Sequence, residues 1–123
     1  MSQVRTARPT RIDKPWGHEL VWAQTDRYVG KILHVRAGEA LSLQYHRVKD
    51  ETLYVLAGTA EIELGEREDN LETVVVQPGD VVHMWPGRRH RITARTECEL
   101  LEVSTPEIDD VVRLADRYGR AGA

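Results

Sequence analysis

GEALSLQYHRVKDETLYVLAG, residues Gly38 to Gly58, is the stretch whose reading decides the fold of this chain. Gln44 and His46 are separated by one residue, so on a β-strand both point to the same face, while Leu43 and Tyr45 point to the other. The polar segment RVKD can then turn the chain, and Glu51 opens a run of strand-forming residues, ETLYVLAG. A carboxylate on that returning strand would face the Gln–His pair. Further on, QPGDVVHMWPGRRH brings His90 just after a Pro-Gly turn, where it can reach the same interior from another strand.

The rest of the chain follows the same grammar. From Trp16 onward, ELVWAQ, YVGKILHVRA, TLYVLAGTAEIEL, TVVVQPGDVVHMW, HRITAR and CELLEVS are short runs rich in Val, Ile, Leu, Thr and Tyr, bounded by Gly, Pro, Asp or Asn. That punctuation predicts many short antiparallel strands rather than βαβ units. In AGTAEIELGE, Ala60, Ile62 and Leu64 share one face and Glu61 and Glu63 the other. QPGD and WPGR each offer Pro-Gly at the centre of a type II turn, where Gly supplies the positive φ. Only the tail departs. In TPEIDDVVRLADRYGR, Pro106 suits a first helical turn, and Val111, Leu114, Ala115 and Tyr118 share a helical face. A short helix is expected there, although VVRL is equally acceptable extended. The chain is therefore read as all-β, a loose polar arm over residues 1–12 followed by one barrel or sandwich domain over residues 13–123, with a short C-terminal cap.

Composition narrows the function classes. Net charge is −3 with 30% charged residues in 123, so no global field recruits nucleic acid or a membrane surface. Local Arg and Lys clusters can still hold a small anion. Cys98 is the one cysteine, which excludes an intrachain disulfide and points to a reducing cytoplasm. No activating neighbour marks Cys98 as catalytic, and a half-buried strand position is expected. The basic start lacks the apolar run of a signal peptide, and no segment approaches a membrane span.

Gln44, His46, Glu51 and His90 form a mixed nitrogen and oxygen set that could close on one divalent ion, Zn, Mn, Fe, Co or Ni, leaving positions for substrate. A neutral amide among the ligands would leave the ion more positive, suited to Lewis-acid polarisation. Spacing alone leaves a structural role open for these histidines. His34 and His83 have no such partners and read as surface or edge residues.

These residues also carry a resemblance. Gly38, Gln44-Tyr45-His46, Glu51 and Gly58 resemble the first motif of the cupins, with Gln in place of its first His. Gly79, Pro86 and His90 resemble the second motif. SLQYHRVKDETLYVLAGTA is similar to the block of the type II mannose-6-phosphate isomerases, with Lys49 at an Arg position and Thr52-Leu53 in place of His-Trp. GKILHVRAG, with Lys31, and LLEVSTPEIDDVVRLADRYGR, with Glu102, Asp110, Arg113, Asp116, Tyr118, Gly119 and Arg120, are similar to two further stretches of that family. The resemblance implies a cupin double-stranded β-helix, a jelly-roll barrel, standing alone without the family's nucleotidyltransferase domain. It further implies one divalent metal bound by Gln44, His46, Glu51 and His90.

The function implied is a metal-dependent aldose–ketose isomerase acting on a sugar phosphate, with Glu102 as base and Lys31 beside it. Glu102 would share an inward face with Leu100 and Ser104, the alternative being an outward strand residue or an ion-pair partner. Lys31, Lys49, Arg88 and Arg113 are the candidates for binding phosphate or carboxylate, each also acceptable as a plain surface charge. Trp16, Trp22 and Trp85 can serve as an apolar wall, as core or as a dimer contact. Two other classes stay open: a non-catalytic sugar-binding cupin acting as sensor or accessory subunit, and a metal-dependent dioxygenase, against which Gln44 counts. A homodimer is expected, because pairing hides exposed sheet edges.

Overall fold

The computed structural model describes residues 6–122, and among them every regular element is a β-strand. One sheet has six strands in the order β1 (Thr10–Lys14), β2 (Gly17–Gln24), β3 (Val29–Val35), β10 (Cys98–Ser104), β5 (Glu51–Ala57) and β8 (Val81–Met84). The other has five, in the order β11 (Val112–Ala115), β4 (Leu43–Tyr45), β9 (Arg89–Ala94), β6 (Ala60–Gly65) and β7 (Glu72–Val76). All pairings are antiparallel. The two inner faces meet as a jelly roll, as the alternation predicts.

Alternation decides which side chains enter. Ala60 and Ile62 are fully buried while Glu61 and Glu63 stay half-exposed, and Leu53 with Val55, and Leu100 with Cys98, repeat the pattern on the facing sheet. Leu33, Leu53, Ile62, Ile92 and Leu100 thus form the hydrophobic floor of the barrel. Cys98 is wholly buried, with its thiol donating to the Thr59 and Thr96 carbonyls, and burial pushes its pKa up. It is a packed core residue rather than an activated thiol. Both Pro-Gly turns form: Asp80 N–H donates to Gln77 O and Arg88 N–H to Trp85 O, each at 3.0 Å, with positive φ at Gly79 and Gly87.

Gly58 ends the opening stretch for a steric reason. Its φ is +82°, and a Cβ there would run into the Glu97 carbonyl oxygen and Cys98 Cα. Gly58→Ala is expected to cost more than about 3 kcal/mol, from left-handed strain plus backbone overlap. A thermal melt would then show a drop of roughly 10 °C or more. A fall of only about one degree would show that the β5–β6 turn is looser than described.

Two expectations need correction. The tail is extended, not helical: Val112 pairs with Tyr45 and Arg113 with Gln44, so β11 covers the otherwise open edge of β4. Pro106 instead begins a turn, with Ile108 N–H donating to Pro106 O. A partner strand some seventy residues away in sequence thus overrides a local helical pattern. At the other end, Thr10–Ile12 belong to β1, paired with Val21, Leu20 and Glu19, so the ordered sheet begins inside the stretch expected to be loose. Residues 1–5 of that stretch lie outside the described residues.

Candidate metal centre

Directly opposed residues of antiparallel strands present their side chains to the same face. Arg113 opposes Gln44 and Gln44 opposes His90, so these three form one inward row across β11, β4 and β9. On the facing sheet Glu102 opposes Lys31 and Leu53, while Glu51 opposes Ser104 one step along. His46 follows β4 directly and returns beneath Gln44. His46, Glu51 and His90 thereby converge, at 2%, 4% and 2% exposure.

The hydrogen bonds fix how the two imidazoles point. His46 Nδ1–H donates to the Asp110 carbonyl at 2.6 Å, and His90 Nδ1–H donates to the Arg88 carbonyl at 2.9 Å. In the neutral rings, both Nε2 lone pairs then face Glu51 Oε1, at 2.6 and 3.3 Å. Two lone pairs aimed at one carboxylate repel unless a cation, proton or metal ion, lies among them. That arrangement could hold a metal ion, with outer partners orienting the three donors. Two imidazoles and a carboxylate suit zinc or a first-row transition ion with open positions. Gln44 stands beside this group with its amide nitrogen 3.4 Å from His90 Nε2 and its oxygen accepting from Ser42 Oγ at 2.6 Å. Since a hydroxyl both donates and accepts, Ser42 serves the amide in either orientation.

Asp110 does more than lend its carbonyl. Its carboxylate accepts from the backbone N–H groups of Arg47, Val48 and Lys49, at 3.1, 2.7 and 2.9 Å. Partial burial pushes its pKa up, but those three donors prevail and hold it low. The Thr105 hydroxyl accepts from Asp50 N–H in the same way. The segment 105–110 therefore pins the loop that carries His46 into β5.

Around the centre lies a paired array of buried charge. Lys49 Nζ sits 3.2 Å from Glu102 Oε2 and 3.7 Å from Glu51 Oε2. The first contact is an ion pair without hydrogen-bond geometry, so that buried Glu102 oxygen has no hydrogen-bond partner among the described residues, on a side chain that lines the cavity. Lys31 Nζ sits 3.2 Å from Glu19 Oε1. Burial works against the Lys49 ammonium, but Glu102 and Glu51 outweigh it and raise its pKa. Burial also opposes ionisation of Glu51, yet His46, His90 and Lys49 overcome this and keep it ionised. Burial, then the Glu51 charge, push Glu102 up to about 8 against the pull of Lys49 and Lys31. Two carboxylates in one site are thus driven apart, one held as an anion and one able to take or give a proton near neutrality.

The cavity bounded by these groups has a volume of about 90 Å³, room for several water molecules. It brings together eight of the nine residues singled out in the sequence: Gln44, His46, Glu51, His90, Lys31, Lys49, Glu102 and Arg113. Arg88 is not among them. Its guanidinium lies 3.9 Å over the Trp85 ring and donates to His83 O, outside the barrel. Trp16 is core and lines the cavity, whereas Trp22 and Trp85 are half-exposed. Sequence reasoning missed Lys14, Glu19 and Ser42, which also line it. The only local signal for Lys14 was its place just before Pro15-Trp16-Gly17.

Two antiparallel sheets closed around an inward His, His and Glu define a cupin. Within that class, the chain belongs to the family described as mannose-6-phosphate isomerase C-terminal, which matches residues 2–116. It is 34% identical over 114 residues to mannose-1-phosphate guanylyltransferase of Escherichia coli K12, covering 89% of this chain and 23% of that protein. It is 31% identical over 131 residues to the xanthan biosynthesis protein XanB of Xanthomonas campestris, covering 98% and 27%. The chain thus spans about a quarter of the length of these curated relatives. Among solved structures, oxalate decarboxylase from Bacillus subtilis superimposes with a TM-score of 0.75 at 16% identity, over 86% of this chain and 30% of that one. KdgF from Halomonas sp. does so at 0.68 and 20%, over 81% and 90%. At those identities the likeness shows the fold alone.

Proposed function

We propose that the chain is a metal-dependent aldose–ketose isomerase acting on a phosphorylated sugar. The observation that carries this reading is Glu102, a buried carboxylate of raised pKa that lines the same cavity as the His46, Glu51 and His90 donors. A divalent ion (Zn, Mn, Fe, Co or Ni) held there, with Gln44 beside it, would polarise a carbonyl oxygen as a Lewis acid. Glu102 takes the proton from the hydroxyl-bearing carbon next to the carbonyl, giving an enediol, and returns it to the former carbonyl carbon, while the hydroxyl proton passes from the neighbouring oxygen to the former carbonyl oxygen. Lys49 stays 3.2 Å from that carboxylate and offsets its charge in the basic form. Lys31, opposite Glu102 and tethered by Glu19, supplies a donor for a substrate oxygen. Leu33, Leu53 and Ile92 line the cavity and limit water near the reacting carbons. Family membership and the guanylyltransferase and xanthan-biosynthesis relatives support a place in sugar-phosphate metabolism.

A second reading, a non-catalytic cupin that binds a sugar phosphate, is favoured by the departures from the family block at Lys49 and Thr52-Leu53. Incubation with mannose 6-phosphate and fructose 6-phosphate in D₂O separates the two. The isomerase incorporates deuterium at the carbon beside the carbonyl, and a chelator stops it. Binding without exchange across a broad panel of aldose and ketose phosphates would select the second reading. Exposed Trp22, Tyr54, Val81 and Val103 on the outer face of the six-stranded sheet support the pairing of two copies. Among the described residues no helix is long and apolar enough to cross a membrane. The lone cysteine and the biosynthetic relatives favour a cytoplasmic setting.

A further inference from the structure

Charge pairing within the cavity leaves two cations over. Lys49 faces Glu102 and Glu51, Lys31 faces Glu19, and Arg120 is held bidentately by Asp116, both contacts at 3.0 Å. Lys14 and Arg113 also line the cavity, and neither has a carboxylate partner among the described residues. Arg113 Nε is buried and has no hydrogen-bond acceptor among them, which is costly for a guanidinium donor unless a ligand supplies one.

Their positions are complementary. Lys14 closes β1, opposite Gly17, on the face that Ile12 shares with buried Glu19, so it points inward. Arg113 stands on β11 at the end of the row that runs through Gln44 to His90. β1 and β11 are the first strands of their respective sheets, so the two cations meet the cavity from opposite walls at its rim. Arg supplies a planar fork of donors and Lys a mobile point charge, which together balance a dianion.

We propose that Lys14 and Arg113 form a subsite for a phosphate monoester at the cavity rim, and that this subsite selects phosphorylated over neutral ligands. This rests on the sugar-phosphate reading for the choice of ligand, though not on catalysis. It moves the anion site away from Lys49, which belongs to the Glu102 pair, and from Arg88, which lies outside.

The test is calorimetric titration of the metal-loaded protein with mannose 6-phosphate, mannose and inorganic phosphate. Lys14→Gln and Arg113→Gln should each raise the Kd for mannose 6-phosphate at least ~10-fold, and the pair ~100-fold. Lys14→Arg should restore most of it, and binding should weaken as salt rises. Metal content and melting temperature should stay at wild-type values, which separates lost recognition from lost folding. Wild-type binding that both glutamine variants retain, as expected of phosphate held by the metal alone, overturns the subsite. So does equal affinity for mannose and its phosphate, or no binding of the phosphate at all. Phosphate-selective binding that is lost in the variants, without deuterium exchange in the wild type, sustains the subsite and refutes the isomerase.

Discussion

Replacing His46 by alanine is expected to strip the protein of its divalent ion. Wild type dialysed against trace metal should carry close to one ion per chain by elemental analysis, whereas His46→Ala should carry less than about a tenth. Among the described residues His46 supplies one of the three converging donors, and its ring is 98% buried and tied to Asp110 O. Loss of an outer-sphere partner alone costs about 10–100-fold in metal affinity, so loss of a donor should cost more. Glu51 would also lose its shortest contact and lean on Lys49 and His90. A second readout guards against misreading an unfolded variant. An ion that binds only the native state raises its melting temperature, so a chelator should lower the wild-type melt and leave His46→Ala unmoved. A variant that keeps stoichiometric metal would show that the donors lie elsewhere.

Glu102→Gln should abolish deuterium exchange while leaving the metal in place. A general base contributes about 10²–10⁴-fold, and an amide of the same shape cannot accept the proton, so exchange should fall by that factor. Metal content should not change, because Glu102 is not among the converging donors. Exchange that survives within about threefold would shift the base to another group. The same variant has a pH signature. The folded-state pKa of Glu102 lies near 8, above the ordinary 4.5, so the native state holds a proton that the unfolded chain releases. That contribution to stability is fully present below the unfolded value and is lost as pH rises through about 8. Glutamine cannot lose a proton. Melts of chelator-treated protein should therefore show the variant gaining on wild type between pH 5 and pH 9.

Much of this was readable in the chain because strand alternation is a rigid rule. Gln44 and His46 could not share a strand without sharing a face, and Glu102 followed Leu100 inward for the same reason. The turns at Gly79 and Gly87 were readable because few residues tolerate positive φ. Pairings across long sequence separations were not. β11 is a strand because β4 needs a partner, a choice that VVRL, equally acceptable as helix or strand, leaves open locally. Lys14 shows its role only when β1 folds onto β2 and turns it toward the cavity. Lys49 follows a turn, where alternation lapses, so its commitment to Glu102 rather than to an anionic ligand appeared only in three dimensions.

Both imidazoles take their orientation from main-chain carbonyls, of Asp110 and Arg88, rather than from side chains. No point substitution at residue 110 or residue 88 removes the acceptor, because every amino acid carries it. An insertion or deletion in the turn at 106–110 or at 85–88 would move it by several ångströms, since each residue spans up to about 3.5 Å of chain. These two loops should therefore tolerate changes of residue, save at Asp110, whose carboxylate holds the backbone of residues 47–49, and hardly any change in length. Loop length is the trait to check first when judging whether a distant homologue keeps the same donor geometry.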